Sequence, residues 1–244
     1  MTDKLEMIAK SEIIVVLDRS GSMTGLKADM EGGFDTFIEE QKKEKSDACT
    51  VSLYQFDDKY NVVYENKALE EVPKLNLNPR GGTALLDAVG KTIGAVTDRY
   101  AELDEKERPS KVIFMIITDG EENSSREFNR DQIKTLIESS EKKKDWQFVY
   151  LGADAKAFDE ATSMGVAVAS NYTPSSAGVH RLFSANAMSA RSYRSSPIGA
   201  KYSVARDLTD ETADKLDVDP DPGLNQLLDE TKSSDSKENT PDSK

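Results

Sequence analysis

Asp18, Ser20 and Ser22 occupy alternate positions directly after five aliphatic residues, Ile13 to Leu17, with Gly21 between the two serines. One carboxylate and two hydroxyls at that spacing, with glycine supplying backbone freedom, can converge on a point just beyond the end of a strand. All three are hard oxygen donors, the kind that hard cations take. Two further stretches carry related chemistry: Thr83 follows Gly81-Gly82, and Asp119 lies between Thr118 and Gly120 after the apolar run Val112 to Ile117. Together Asp18, Ser20, Ser22, Thr83 and Asp119 offer two carboxylates and three hydroxyls. That set suits Mg2+ or Mn2+ and leaves at least one coordination position for something else.

The elements that must position these residues can be read from the hydrophobic pattern. Ile13 to Leu17 is unalternated, as in a strand buried on both faces of a parallel sheet. Leu26, Met30, Phe34, Phe37 and Ile38 predict an amphipathic helix over about 25–45. Within it Gly32 and Gly33 each cost about 1 kcal/mol relative to alanine and permit close packing on the sheet or a kink. Residues 47–56 and 60–65, separated by Asp57-Asp58-Lys59, predict a hairpin, so one of these strands is antiparallel at a sheet edge. Residues 68–79 have no clear period. Thr83 begins a helix marked by Leu85, Leu86, Val89, Ile93, Val96, Tyr100 and Leu103; its hydroxyl either caps that helix or faces a ligand.

Lys111 to Thr118 repeats the opening pattern of a buried strand ending at a carboxylate. Phe128, Ile133, Leu136 and Ile137 predict a helix whose last residues, Lys142 to Lys144, suit the negative end of its dipole. A strand over 147–151, a short helix over 153–164, a strand over 166–169 and a closing helix from Ser175 to about Ser192 follow, with Ser175 or Ser176 as the cap. The order β-α-β-β-α-β-α-β-α-β-α specifies an α/β fold, Rossmann-like, doubly wound about a mostly parallel central sheet with one antiparallel edge strand. In such a sheet ligands bind at the C-terminal strand ends where the winding reverses, and all five oxygen donors map to that edge.

The chain has 244 residues and a net charge of -13. That charge disfavours nucleic acid and anionic membrane, neither of which is expected as a partner, because neither releases counterions to an acidic surface. No apolar run approaches the ~18 residues of a membrane span, and the short run after Lys4 and Lys10 is no signal-peptide core. A single cysteine, Cys49, cannot form an internal disulfide, so the expected compartment is the cytoplasm. From Ser203 to Lys244 there are five basic and twelve acidic residues, with Asp-Pro-Asp-Pro-Gly at 219–223. The expected organisation is one domain over 1–202 and an acidic, disordered tail over 203–244, in which only Leu224, Leu227 and Leu228 form a cluster able to dock.

Asp-Arg-Ser-Gly-Ser at 18–22, Gly-Gly-Thr at 81–83 and Thr-Asp-Gly at 118–120 resemble the metal-ion-dependent adhesion site of the von Willebrand factor type A domain, and the similarity covers roughly residues 12–190. The resemblance implies that Ser20, Ser22 and Thr83 contribute hydroxyls to a metal, and Asp18 and Asp119 contribute carboxylates directly or through water. It also implies a protein partner whose Asp or Glu completes the coordination sphere. Intracellular relatives of this type act as accessory factors in bacterial or viral assemblies, sometimes with ATPases, which is an analogy at the level of fold.

Two other readings compete. A Mg2+-dependent phosphatase of the haloacid-dehalogenase type also opens with an aspartate after a buried strand, but needs a second carboxylate two residues on, where this chain has Ser20. The third reading is a structural domain whose hydroxyls serve only as caps and turn residues. The non-enzymatic, cation-dependent protein-binding module is preferred. The tail could place one of its own carboxylates on the metal in cis, or act only as a solubilising segment. Arg19 is expected to face solvent, and Glu121 and Glu122 to form a solvated turn. His180 is read as a surface or packing residue, Cys49 as a small buried hydrophobe and Trp146 as core-edge packing.

Overall fold

The computed structural model describes residues 9–153 and 156–204. The acidic segment from 205 onward, with Leu224, Leu227 and Leu228, lies outside the described residues, as does the lead-in over 1–8.

Six strands, β1 (Ala9–Asp18), β2 (Asp47–Phe56), β3 (Tyr60–Ala68), β4 (Lys111–Thr118), β5 (Trp146–Ala153) and β6 (Val168–Tyr172), form one sheet in the order β3-β2-β1-β4-β5-β6. Every pairing is parallel except that of β2 with β3, which makes β3 the antiparallel edge. The helices are α1 (Lys27–Gln41), α2 (Leu85–Ala101), α3 (Arg130–Lys144), α4 (Lys156–Ser163) and α5 (Ser176–Ser195).

The unalternated run of β1 divides between two cores, as a doubly covered strand must. Ile13, Val15 and Leu17 pack with Phe34 and Phe37 of α1 and Val179 and Phe183 of α5. Ile14 and Val16 face the opposite way, onto Val89 and Ile93 of α2, Ile133 and Ile137 of α3 and Ala161 of α4. Each such side chain, fully buried, contributes about 1.5–3 kcal/mol, so β1 is held from both sides. Chain order reverses between β1 and β4, whose register pairs Leu17 with Ile117. Asp18 and Thr118 therefore end level with one another at the point where the winding changes direction.

Several boundaries differ from the sequence reading. The predicted first helix begins later, because residues Gly21–Leu26 wind as a 3-10 turn, and it ends at Gln41. Phe128 precedes α3, which is started by an Asn129–Gln132 capping box; its ring lies against Gly90 of α2, where an added Cβ would come within 2.7 Å of it. The last strand starts at Val168, after the backbone turns through Gly165 at φ +81°. Trp146 opens β5 and is buried against Tyr100, Phe114 and Phe148. His180 is exposed, and Cys49 is buried, with burial pushing its thiol up to about 11.

Towards the N-terminal end of β1, away from Asp18, Glu12 is fully buried. It accepts from both Nη atoms of Arg99 at 3.1 and 2.7 Å, from Tyr100 Oη at 2.5 Å and from Ser52 Oγ at 2.5 Å. A buried carboxylate persists because every oxygen is met by a donor. The C-terminal end of α5 is tied down in the same manner: Lys111 Nζ donates to the carbonyls of Tyr193 and Arg194 at 3.0 and 2.6 Å, and Arg194 pairs with Asp47 at 2.6 Å.

The two glycines of α1 differ in purpose. A Cβ on Gly33 would lie 2.2 Å from the Phe183 ring, so this glycine lets α1 and α5 approach, while a Cβ on Gly32 would meet nothing within 4 Å. Gly32→Ala is expected to stabilise the protein by up to about 1 kcal/mol through helix propensity. Gly33→Ala is expected to destabilise it by about 1–3 kcal/mol through overpacking. Urea denaturation of both variants checks the opposite signs.

Candidate metal centre

Asp18 is the fully buried last residue of β1, and its carboxylate is engaged on two sides. Oδ1 accepts from the Ser20 amide at 2.6 Å and Oδ2 from Thr118 Oγ1 at 2.5 Å. Burial pushes its carboxyl up to about 6, against the lowering effect of the hydrogen bonds from Thr118 and Ser20. Asp119 is also raised, chiefly by burial and against the hydrogen bond from Ser22. Ser22 Oγ donates to Asp119 Oδ1 at 2.7 Å, and Ser20 Oγ lies 3.0 Å from Ser22 Oγ. With one proton per hydroxyl, Ser22 spends its own on Asp119, so Ser20 donates to Ser22.

Thr83 comes from a different part of the chain. It is buried, and it does not cap α2, which starts at Leu85 with no side-chain cap from the preceding residue. Its amide donates to Asn123 Oδ1 at 2.9 Å, while its hydroxyl makes no hydrogen bond among the described residues. The position of that hydroxyl is defined by Gly120. A Cβ built there would lie 3.2 Å from Thr83 Oγ1, 3.5 Å from Ser22 Oγ and 3.8 Å from Asp18 Oδ2. Oxygens from two separate segments thus face one small space beside Gly120, a residue of a third segment that has no side chain. The structure brings all five sequence-predicted residues to this one place.

Among the described residues no group of three or more His, Cys, Asp or Glu side chains is arranged to hold a metal ion. This cluster differs in kind, since three of its five oxygens are hydroxyls. The donor set fits a hard cation: oxygens only, with two carboxylates whose charge burial disfavours until a positive partner arrives.

Sequence reasoning missed the residues that hold the three segments in place. Arg19, expected to face solvent, is buried and pairs through Nε with Asp57 Oδ2 at 3.0 Å. The reason is the tight β2–β3 turn, which places the fully buried Asp57 directly beside the end of β1. Arg80 Nε donates to the same oxygen at 2.9 Å, and the Lys59 amide to Oδ1 at 2.7 Å. Burial alone would push the Asp57 carboxyl up; the bonds from Arg80 and Lys59 and the charge of Arg19 outweigh it and hold it below the usual range.

Glu122, expected in a solvated turn, instead accepts from the Leu86 amide at 3.0 Å and from the Ser124 and Ser125 amides at 2.9 and 2.7 Å. It supplies the cap for α2 that Thr83 does not. Asp87 answers from α2, accepting the amides of Arg126, Glu127 and Phe128, each at 2.9 Å. Burial pushes Asp87 up, and those amides bring it net below its ordinary value. The only sequence signal for this exchange was the density of Glu, Asn and Ser at 121–125, the residue types that bond to backbone amides.

No family model matches the sequence, and no curated protein does. Solved structures with the same fold do. The PilB minor pilin from Streptococcus sanguinis is 13% identical with a TM-score of 0.57, covering 80% of this chain and 65% of its own. Proximal thread matrix protein 1 from the mussel byssus, solved with a zinc-occupied MIDAS motif, is 16% identical with a TM-score of 0.50, over 76% of this chain and 46% of its own. A von Willebrand factor type A structure from Catenulispora acidiphila is 17% identical with a TM-score of 0.50, over 75% of this chain and 43% of its own. This chain therefore spans from under half to about two-thirds of these proteins. At such identities the likeness concerns the fold alone, and that fold is the von Willebrand factor type A fold.

Proposed function

We propose that this chain is a divalent-cation-dependent protein-binding module. In this reading Asp18, Ser20, Ser22, Thr83 and Asp119 hold Mg2+ or Mn2+, and an Asp or Glu of a partner protein takes the remaining coordination position. The observation that carries it is the convergence of Thr83 Oγ1, Ser22 Oγ and Asp18 Oδ2 on the space beside Gly120. When bound, the cation supplies a Lewis-acidic position for an incoming carboxylate. The chain's own residues do the rest. Asp18 and Asp119 provide two negative charges in a desolvated setting, where their attraction for a cation is strongest. The serine pair fixes its hydroxyl protons towards Asp119, which leaves oxygen lone pairs free to accept a cation.

The role in this reading is non-catalytic: position 20 offers a hydroxyl where a phosphatase of the haloacid-dehalogenase type needs a second carboxylate. The module occupies residues 1–202 and works in the cytoplasm as an accessory factor in a larger assembly, an ATPase among the partners to examine. Among the described residues no helix is long and apolar enough to cross a membrane.

Calorimetric titration of Mg2+, Mn2+ and Zn2+ into the wild type should give saturable heats. Gly120→Ala, whose methyl enters the shared space, should weaken binding by at least about tenfold. Equal heats from the two proteins would overturn the metal assignment. With the cation bound, a pull-down in Mg2+ should retain a protein that EDTA and Asp119→Ala both release.

The pH dependence follows from Asp18. A carboxyl raised from 3.8 to about 6 in the folded state costs stability once ionised; at 1.36 kcal/mol per unit the penalty is about 3 kcal/mol above pH 6 and vanishes below pH 4. In EDTA, Asp18→Asn should therefore be about 1–3 kcal/mol more stable than wild type at pH 7.5, with the advantage fading as pH falls towards 4. Added cation should reverse the order, since only the wild type binds it. Cation affinity should fall as pH drops through about 6, where Asp18 takes up its proton.

A further inference from the structure

Three chain segments must meet at one point for the proposed metal centre to form, and one buried side chain lies between two of them. Asp57 occupies the turn from β2 to β3 and is fully buried. Its Oδ2 accepts from Arg19, the residue between Asp18 and Ser20, and from Arg80, which immediately precedes the Gly81-Gly82-Thr83 segment. Its backbone carbonyl accepts from the Ala84 amide at 2.9 Å, on the other side of Thr83. The backbones on either side are also joined: the Arg19 amide to the Phe56 carbonyl at 2.7 Å, the Arg80 amide to the Arg19 carbonyl at 2.8 Å, and the Gly21 amide to the Gly81 carbonyl at 3.1 Å.

Gly81 shows how closely the turn and the threonine segment fit. Its φ is +69°, and a Cβ there would lie 2.5 Å from Asp58 Oδ1 and 3.5 Å from Asp57 Cβ. Two guanidinium groups on one buried carboxylate oxygen are a poor choice for stability alone, since each must be desolvated in part. They do bring two otherwise independent loops to one fixed reference.

We infer that Asp57 is a positioning residue of the metal centre: through Arg19 and Arg80 it sets the separation between the hydroxyls of Ser20 and Ser22 and the hydroxyl of Thr83. The inference rests on the metal reading and deepens it. Asp57 touches no cation itself. Its effect is to hold oxygens from two segments at one spacing, so that the cation does not have to gather them at its own expense.

The test is calorimetric titration of Mg2+ and Mn2+ into the full-length protein and its variants. Wild type must bind for the metal reading to stand; no saturable heat removes that reading, and this inference with it. Asp57→Asn should weaken binding by about 10–100-fold, the range typical of groups that orient ligands. Glu102→Gln, an exposed carboxylate just past the C-terminal end of α2 and away from the three segments, should stay within about twofold of wild type. Wild-type binding with unchanged affinity in Asp57→Asn overturns the positioning role and leaves the metal site intact.

A merely structural role is separated by a cycle with Thr83→Ala. Once the threonine hydroxyl is gone its spacing no longer matters, so Asp57→Asn in that background should cost less than about twofold. Losses that multiply would overturn the inference. Should Asp57→Asn fail to fold, Arg80→Met keeps the Asp57–Arg19 pair and the backbone bonds and removes only the side-chain tie to the threonine segment. It should weaken binding by at least about threefold, and wild-type affinity in a folded Arg80→Met protein counts against the role.

Discussion

The C-terminal edge of the sheet depends on the burial of Asp18. A carboxylate with no exposed surface must be met by donors or by positive charge, and here it receives one amide and one threonine hydroxyl. Two hydrogen bonds are less than an ionised carboxylate can accept, and the group is correspondingly shifted towards its protonated form. Compare Glu12 at the opposite end of the same strand. It is buried to the same degree but receives a bidentate guanidinium and two hydroxyls. One end of β1 is electrostatically closed by the protein and the other is left in deficit, which is the condition under which a cation is worth binding.

That deficit is useful only if the oxygens around it are fixed, and the three segments fix one another pairwise. The first and third are joined by Thr118 to Asp18 and by Ser22 to Asp119. The first and second meet through Asp57 and the Gly21–Gly81 bond. The second and third exchange Asn123 for Thr83, Glu122 for the start of α2, and Asp87 for the amides of residues 126–128. Glycines stand where these segments press together. A Cβ on Gly82 would come within 2.3 Å of Ser124 Oγ, so the paired glycines before Thr83 serve two different contacts, one with the hairpin turn and one with the loop after β4.

The parts of this arrangement that were legible in sequence are those governed by local rules. Strand burial, helix periodicity and the antiparallel edge follow from hydrophobic pattern, and the position of Asp18, Ser20, Ser22, Thr83 and Asp119 at strand ends or helix starts follows from that. What was not legible depends on pairings between residues far apart in the chain. Arg19 looks like a solvent residue until β2 and β3 bring Asp57 beside it, 38 positions away. Thr83 looks like a helix cap until Glu122, 36 positions from Leu86, takes that task. Composition marks such residues as able to bond to amides or charges, but only the folded chain decides which amide or charge.

Ser20 carries the last step. Two carboxylates balance a divalent cation, so under the proposed reading the loaded site is close to neutral and an incoming acid meets no excess negative charge. A third carboxylate at position 20 would make the site repel that acid and suit it to proton transfer. The hydroxyl does something different: it donates to Ser22, which donates to Asp119, and so orients the chain's own oxygens without adding charge. On the proposed reading, holding a partner's carboxylate rather than attacking a phosphoryl group would come down to the charge of one side chain, two residues beyond the buried aspartate.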